Sequence, residues 1–123
     1  MGKCRFCGAK AGFLRSQHKE CESKHQSVIK EVTNACWQAA TGGYDPKDAI
    51  QWVPLKAQEG WITDTKPYFI KAWGDALQKD LEDGLLSHEE QRRLEQVMET
   101  FGLTEKDLGP SWMQMRHGII IRE

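Results

Sequence analysis

Hydrophobic residues recur at intervals of three and four along most of the chain, which is the spacing of amphipathic helices. Val28, Val32 and Cys36, for example, fall on one face of a stretch that ends at the glycine pair 42–43. The same spacing recurs further along the chain, so we expect a mainly helical protein. The predicted helices cover roughly 16–41, 46–53, 66–82, 88–100, 105–108 and 111 onward.

Capping residues mark the ends of several of these helices. Asp45 precedes Pro46, which suits an N-cap followed by a proline at the first helical position. Ser87 and Glu90 form the Ser-x-x-Glu pattern of a capping box, in which each side chain satisfies a free backbone N–H of the other residue. Gly102 is well placed as a C-cap. These signals make the predicted helix boundaries specific.

The segment after Pro46 predicts a short helix and a break. Pro54 lacks an N–H and is expected to end the helix. Trp52, Leu55 and Trp61 are large apolar residues, and we expect them to dock in the core.

The first 25 residues contain the clearest chemical motif of the chain. Cys4 and Cys7 form a C-x2-C pair, and His18, Cys21 and His25 follow at the distance usual for small zinc modules. Zn²⁺ takes four such ligands in a tetrahedron. The second pair of ligands usually comes from the start of the helix, which favours His18 and Cys21, with His25 as the alternative fourth ligand. Five candidates for four positions indicate a closed, structural site with no catalytic role.

The charge of the chain is unevenly distributed. The 123 residues have a net charge of −1, whereas residues 1–30 contain seven basic and two acidic residues, a net charge of +5. Basic side chains interleaved with Phe6 and Phe13 suit single-stranded nucleic acid. The candidate nucleic-acid contacts are Lys3, Arg5, Lys10, Arg15 and Lys19.

Other chemistries fit the sequence less well. The acidic turn near Gly84 places Lys79 and Leu81 where a calcium loop needs oxygen ligands. No nucleophile motif, phosphate-binding glycine loop or paired-carboxylate pattern is present, so we do not expect an enzyme. The chain has no apolar run long enough to cross a bilayer and no signal peptide, which predicts a cytoplasmic protein with reduced cysteines.

Two segments resemble known families. The first resemblance, to the zinc-ribbon or treble-clef heads of bacterial proteins, is carried by CRFCGAKAGFLRSQHKEC. The second, to TerB-like domains named for tellurite-resistance proteins, is carried by LEDGLLSHEEQRRLEQVMETFGLTEKDL. The residues that match the TerB-like signature are Asp83, Gly84, Ser87, Glu90, Gly102 and Leu103. This resemblance implies a helical bundle that takes part in stress response or in metal-linked and membrane-associated signalling, with no enzymatic activity.

The sequence therefore predicts a mainly α fold in two parts. Residues 1–41 form a small zinc module, a short β-hairpin plus a long helix, and residues 42–123 form a TerB-like helical bundle. The run Ile119–Ile121 at the end either closes the core or indicates that the bundle is truncated there, and the sequence leaves both alternatives open. We expect a zinc-stabilised, non-catalytic interaction or adaptor module of a bacterial or phage-encoded stress or defence system, with a protein partner. The alternative is a nucleic-acid-binding protein that uses the basic zinc head. The sequence leaves the partner and the oligomeric state open.

Trp112, Met113 and Met115, together with the final isoleucines, cover more than one face of the last helix. This distribution predicts an exposed apolar contact surface there, and the alternative is a central helix that is buried on all sides.

Overall fold

The computed structural model describes residues 2–3, 10–12, 19–82, 84 and 86–118, with side chains described for 19–82, 84 and 86–115. Within these ranges the chain forms two short strands and six helices. The strands are β1 (Gly2–Lys3) and β2 (Lys10–Gly12), and the helices are α1 (Lys19–Thr41), α2 (Pro46–Glu59), α3 (Lys66–Asp80), α4 (His88–Phe101), α5 (Glu105–Leu108) and α6 (Pro110–Gly118). The prediction of a mainly helical bundle is confirmed.

The two strands pair antiparallel, with Gly2 opposite Gly12 and Lys3 opposite Lys10. The predicted zinc ligands Cys4, Cys7 and His18 lie outside the described residues. The hairpin as a metal-binding module, and the division of the chain after residue 41, therefore stay predictions.

The long helix α1 is the centre of the bundle. Val28, Val32 and Cys36 are buried on one face, as their spacing predicts. This face packs against both α2 and α3, and α4 closes the bundle against both of those helices. The core is therefore shared by helices that lie on both sides of residue 41.

Trp73 is the largest side chain that is fully buried in the bundle. Its indole Nε1 donates a hydrogen bond of 2.8 Å to the carbonyl of Leu94, which satisfies its one polar group and joins α3 to α4. Beside it, the rings of Phe69 and Phe101 lie 4.5 Å apart between their centroids. The interface of α3 and α4 is consequently the aromatic part of the core.

The predicted helix caps are confirmed. Asp45 accepts a hydrogen bond from the backbone N–H of Lys47. Ser87 and Glu90 form the complete capping box at the start of α4. Gly102 ends α4 in the left-handed conformation, with φ 71°. These features depend only on residues close in sequence, so periodicity and capping rules suffice to predict them.

The predictions around Pro54 were wrong. The proline lies inside α2, which continues to Glu59. Its missing N–H costs one helical hydrogen bond, to the carbonyl of Ile50. The helix nevertheless continues because Ala49, Val53 and Ala57 form a fully buried stripe across the proline, against α1.

Two of the three large side chains predicted to be in the core near Pro54 are at the surface. Trp52 is 38 % exposed and Leu55 is 66 % exposed. Both lie away from the stripe of small residues that α2 presents to α1. Trp61 is half-buried in the turn that follows α2.

None of the helices in the described part of the chain combines the length and the apolar character that spanning a membrane requires.

Candidate metal centre

The two described members of the predicted ligand set, Cys21 and His25, lie in the first two turns of α1. Residues four apart on a helix lie on the same side, with Cβ atoms about 5–6 Å apart. A metal that takes Zn–S and Zn–N bonds of about 2.3 and 2.0 Å bridges such a pair readily. Both side chains are half-buried. The structure thus presents a thiol and an imidazole in a spacing that fits Zn²⁺.

A hydrogen bond to a distant backbone carbonyl orients the ring of His25. Its Nδ1 lies 2.6 Å from the carbonyl oxygen of Gly60, 35 residues further along the chain. A carbonyl oxygen only accepts, so Nδ1 is the donor and carries the proton. In a neutral imidazole the lone pair is then on Nε2, so Nε2 is the atom with the electrons to coordinate a metal. The fold therefore selects the tautomer that a ligand histidine needs.

Gly60 reaches His25 because its backbone packs directly on α1. A Cβ atom built at this position would lie 2.6 Å from Cβ of Val28, and 2.8 Å from its Cγ1. No side chain fits such a contact without a shift of the backbone. The close approach of the turn to α1 therefore requires glycine here, and it places the Gly60 carbonyl one turn away from Val28, at His25.

The turn itself is a Schellman motif, which ends α2. The N–H of Ile62 donates to the carbonyl of Ala57, and the N–H of Trp61 donates to that of Gln58. The residue in the left-handed conformation is Trp61, with φ 60°, whereas Gly60 has φ −108°. Positive φ is uncommon for a bulky side chain. The position of Trp61 is stabilised by tertiary contacts, one of which involves Lys24, whose Nζ lies 5.9 Å from the centroid of its ring.

Gly60 and Trp61 are the members of this centre that sequence reasoning missed. A glycine near a helix end indicates a turn, but no local pattern indicates a contact with a histidine 35 residues earlier.

No three histidine, cysteine, aspartate or glutamate side chains come together as a metal site among residues 19–82, 84 and 86–115. Cys4, Cys7 and His18 belong to the part of the chain on which the structure gives no information. The proposed tetrahedral set thus rests on sequence spacing for those residues, and on geometry for Cys21 and His25.

The fourth cysteine has a different environment. Cys36 is fully buried in α1, and burial raises the pKa of its thiol to about 12. A thiol with this pKa is protonated at neutral pH, and a metal binds the thiolate. Cys36 is therefore a core residue, as the apolar pattern predicts.

The predicted nucleic-acid contacts are only partly described. Lys19 is exposed at the start of α1. Lys3 and Lys10 occupy opposite positions in the two strands. Arg5 and Arg15 lie outside the described residues.

The acidic turn between α3 and α4 uses its polar groups in local structure. Ser87 Oγ and the Glu90 carboxylate complete the capping box of α4. Asp80, the last residue of α3, pairs with Arg93. Burial raises the pKa of Asp80, and the positive charge of Arg93 opposes that rise.

An exposed apolar surface lies where α1 and α2 meet. Trp52 lines a groove of about 380 Å³ between α1 and α2, together with Tyr44 and residues of α1. Leu55 lies one turn further along α2 and is the most exposed large apolar side chain of those described. We call Tyr44, Trp52 and Leu55 the α2 surface.

The described part of the last helix has both exposed and buried apolar side chains. Met113 is 54 % exposed, but Met115 is fully buried and Trp112 is half-buried. Ile119–Ile121 lie outside the described residues.

Comparison of the chain with family models, with curated proteins and with solved structures gave no match. The resemblance to zinc-ribbon heads and TerB-like domains accordingly stays a prediction.

Proposed function

We propose that this protein is a non-catalytic interaction module in which a zinc-stabilised head is joined to a helical bundle. The observation that carries the interaction role is the α2 surface. Its tryptophan and leucine are exposed beside a groove, although α2 has an apolar stripe that is fully buried. Exposed aromatic and aliphatic groups beside a groove are typical of partner sites.

The role of the metal in this proposal is structural. A head of about 25 residues buries too little apolar surface to fold without a metal or another cross-link. Cys4, Cys7 and Cys21 with one histidine would supply a complete ligand set. The Cys21–His25 pair on α1 would connect the metal directly to the bundle. Its chemistry would be to hold the head in place, and no open position for a substrate is proposed.

The metal part is tested by measuring zinc per chain in protein purified under reducing conditions. We expect close to one zinc per chain, and less in Cys7→Ser. A folded, reduced protein with almost no zinc would refute this part of the proposal.

The interaction part is tested with Trp52→Ser and Leu55→Ser, compared with Lys47→Ser as a matched control in an exposed part of α2. Because the two apolar side chains are exposed, both variants should stay folded. We expect them to lose a partner that the wild type and the control retain in quantitative affinity purification from the native host. Equal capture by all four proteins would contradict the role of the α2 surface.

Nucleic-acid binding by the head is the second candidate, favoured by the net charge of +5 on residues 1–30. Binding through phosphates weakens steeply with salt, because counterions released into a more concentrated salt solution gain less entropy. Titration of labelled single-stranded DNA and RNA at low and physiological salt tests it. Tight binding that persists at physiological salt would place this candidate first, whereas no binding at low salt would exclude it.

A further inference from the structure

We propose that His25, through Nε2, is the fourth zinc ligand, and that the Gly60 carbonyl is the group that positions it. This inference rests on the zinc site of the proposed function. It reverses the preference for His18 that helix-start spacing gives, and it makes the turn after α2 part of the metal centre.

The first argument is the hydrogen bond of His25. Histidines that bind metals almost always donate the N–H of their other nitrogen to a carboxylate, a carbonyl or a water molecule, and this bond sets the tautomer and the orientation of the ring. His25 has such a bond, 2.6 Å long, from Nδ1 to the Gly60 carbonyl. The bond places the lone pair of the neutral ring on Nε2, which is therefore the nitrogen that can coordinate zinc.

The second argument is the position of Cys21. It lies one turn before His25 on the same side of α1, so the imidazole and the thiol face a common volume. It also lies in the first turn of the helix, where the helix dipole favours negative charge such as that of a metal-bound thiolate.

The third argument is that Gly60 cannot easily move. Its backbone is in contact with Val28, and the Schellman motif fixes the direction of its chain. The side chain of Lys24 lies over the ring of the next residue, Trp61. These contacts restrict the backbone on both sides of the Gly60 carbonyl, and a restricted support distinguishes a precise metal site from a loose one.

The consequence is a connection between metal and bundle. Zinc would be linked to the turn after α2 through the imidazole ring of His25 and its hydrogen bond to the Gly60 carbonyl. Loading of the metal would therefore tighten the packing of this turn on α1, and disturbance of the turn would weaken metal binding.

The decisive experiment identifies the ligand in the unmutated protein. Zinc is replaced by ¹¹³Cd²⁺, and scalar couplings between the metal and histidine ring protons are recorded by NMR. We expect a coupling to His25 with the metal on Nε2 and the proton on Nδ1, and none to His18. A coupling to His18 alone, or a metal on Nδ1 of His25, would overturn the inference while leaving the zinc site intact. Absence of bound metal in the folded protein would refute the proposed function itself.

Variants test the positioning role of the turn. Zinc affinity is measured by competition with a chelator for His25→Ala, His18→Ala and Gly60→Ala. We expect Gly60→Ala to lower the affinity about 10–100-fold, as loss of an outer-shell partner does, and His25→Ala to lower it further. His18→Ala should bind nearly as tightly as the wild type.

A stability control separates positioning from general destabilisation. Val97→Ala removes buried atoms from α4, a helix that contains none of Cys21, His25 and Gly60. It should lower the unfolding midpoint without changing zinc affinity. If Val97→Ala weakens zinc as much as Gly60→Ala, the turn has no specific role at the metal and the positioning part is wrong.

Discussion

Replacement of Gly60 by alanine is predicted to destabilise the bundle, whereas the same replacement at Gly74 is predicted to stabilise it. At Gly60 the new Cβ would lie 2.6 to 3.0 Å from three atoms of Val28, against an optimum of about 3.5–4.0 Å. At Gly74, inside α3, the nearest atom is Ser111 Oγ at 3.7 Å, an ordinary contact. The chemical change is identical, so the sign of the effect depends on packing alone.

The magnitude follows from opposing terms. Overpacking of this kind costs about 1–3 kcal/mol. The backbone of Gly60 is in a conformation that alanine tolerates, so the loss of freedom in the unfolded chain returns about 0.4–1 kcal/mol. The difference between the midpoints of the two ranges, about 2 and 0.7 kcal/mol, gives an expected net loss for Gly60→Ala of roughly 1.3 kcal/mol. For Gly74→Ala only the favourable term remains, a gain of about 0.5–1 kcal/mol.

The assay is urea unfolding followed by far-UV circular dichroism, with EDTA in every sample so that metal affinity does not enter. Val28→Ala removes two of the three atoms that the new Cβ meets. The cost of Gly60→Ala should therefore be smaller in the Val28→Ala background, which a double-mutant cycle measures. A Gly60→Ala protein as stable as the wild type would refute the reasoning, since it would show that the turn relaxes without cost.

Three further predictions concern the core and its edge. Cys36 should resist alkylation at pH 8 until the protein is unfolded, because burial raises its pKa to about 12, and rapid modification of the native protein would contradict this. Trp73→Phe should cost at least the roughly 0.5–1.5 kcal/mol of the lost hydrogen bond to Leu94, measured by urea unfolding, and an unchanged stability would refute it. Burial raises the pKa of Asp80 above 3.8, so its contribution to stability is present below that pH and is lost as the pH rises through the folded pKa. Arg93→Met should raise this pKa further, so that the loss of stability above about pH 4 extends to higher pH than in the wild type. In an Asp80→Asn background the same substitution should add no pH dependence.

The sequence by itself determined the local features of the bundle. The caps at Asp45, at Ser87 with Glu90 and at Gly102 all depend on contacts within four residues. Helical periodicity likewise identified Val28, Val32 and Cys36 as the buried face of α1, because a 3.6-residue repeat sets which residues share a side.

The continuation of α2 past Pro54 depended on its packing against other helices. Pro54 predicts a break from local chemistry, yet the buried stripe of Ala49, Val53 and Ala57 carries the helix past it. The buried stripe lies on the face of α2 that packs on α1, and the larger Trp52 and Leu55 lie outside this stripe. Size and hydrophobicity alone predict that Trp52 and Leu55 are in the core. Neither property shows which face of α2 packs against α1.

The candidate metal centre also depends partly on the sequence and partly on the tertiary structure. Spacing in the sequence identified the cysteines and both histidines as ligand candidates, because ligand type and loop length are local properties. The partner of His25 was decided by tertiary structure, since the Gly60 carbonyl is 35 residues away and reaches the ring only through packing on Val28. A backbone carbonyl also has no sequence signature, because every residue has one. Only the approach of two distant segments determines which carbonyl meets the histidine.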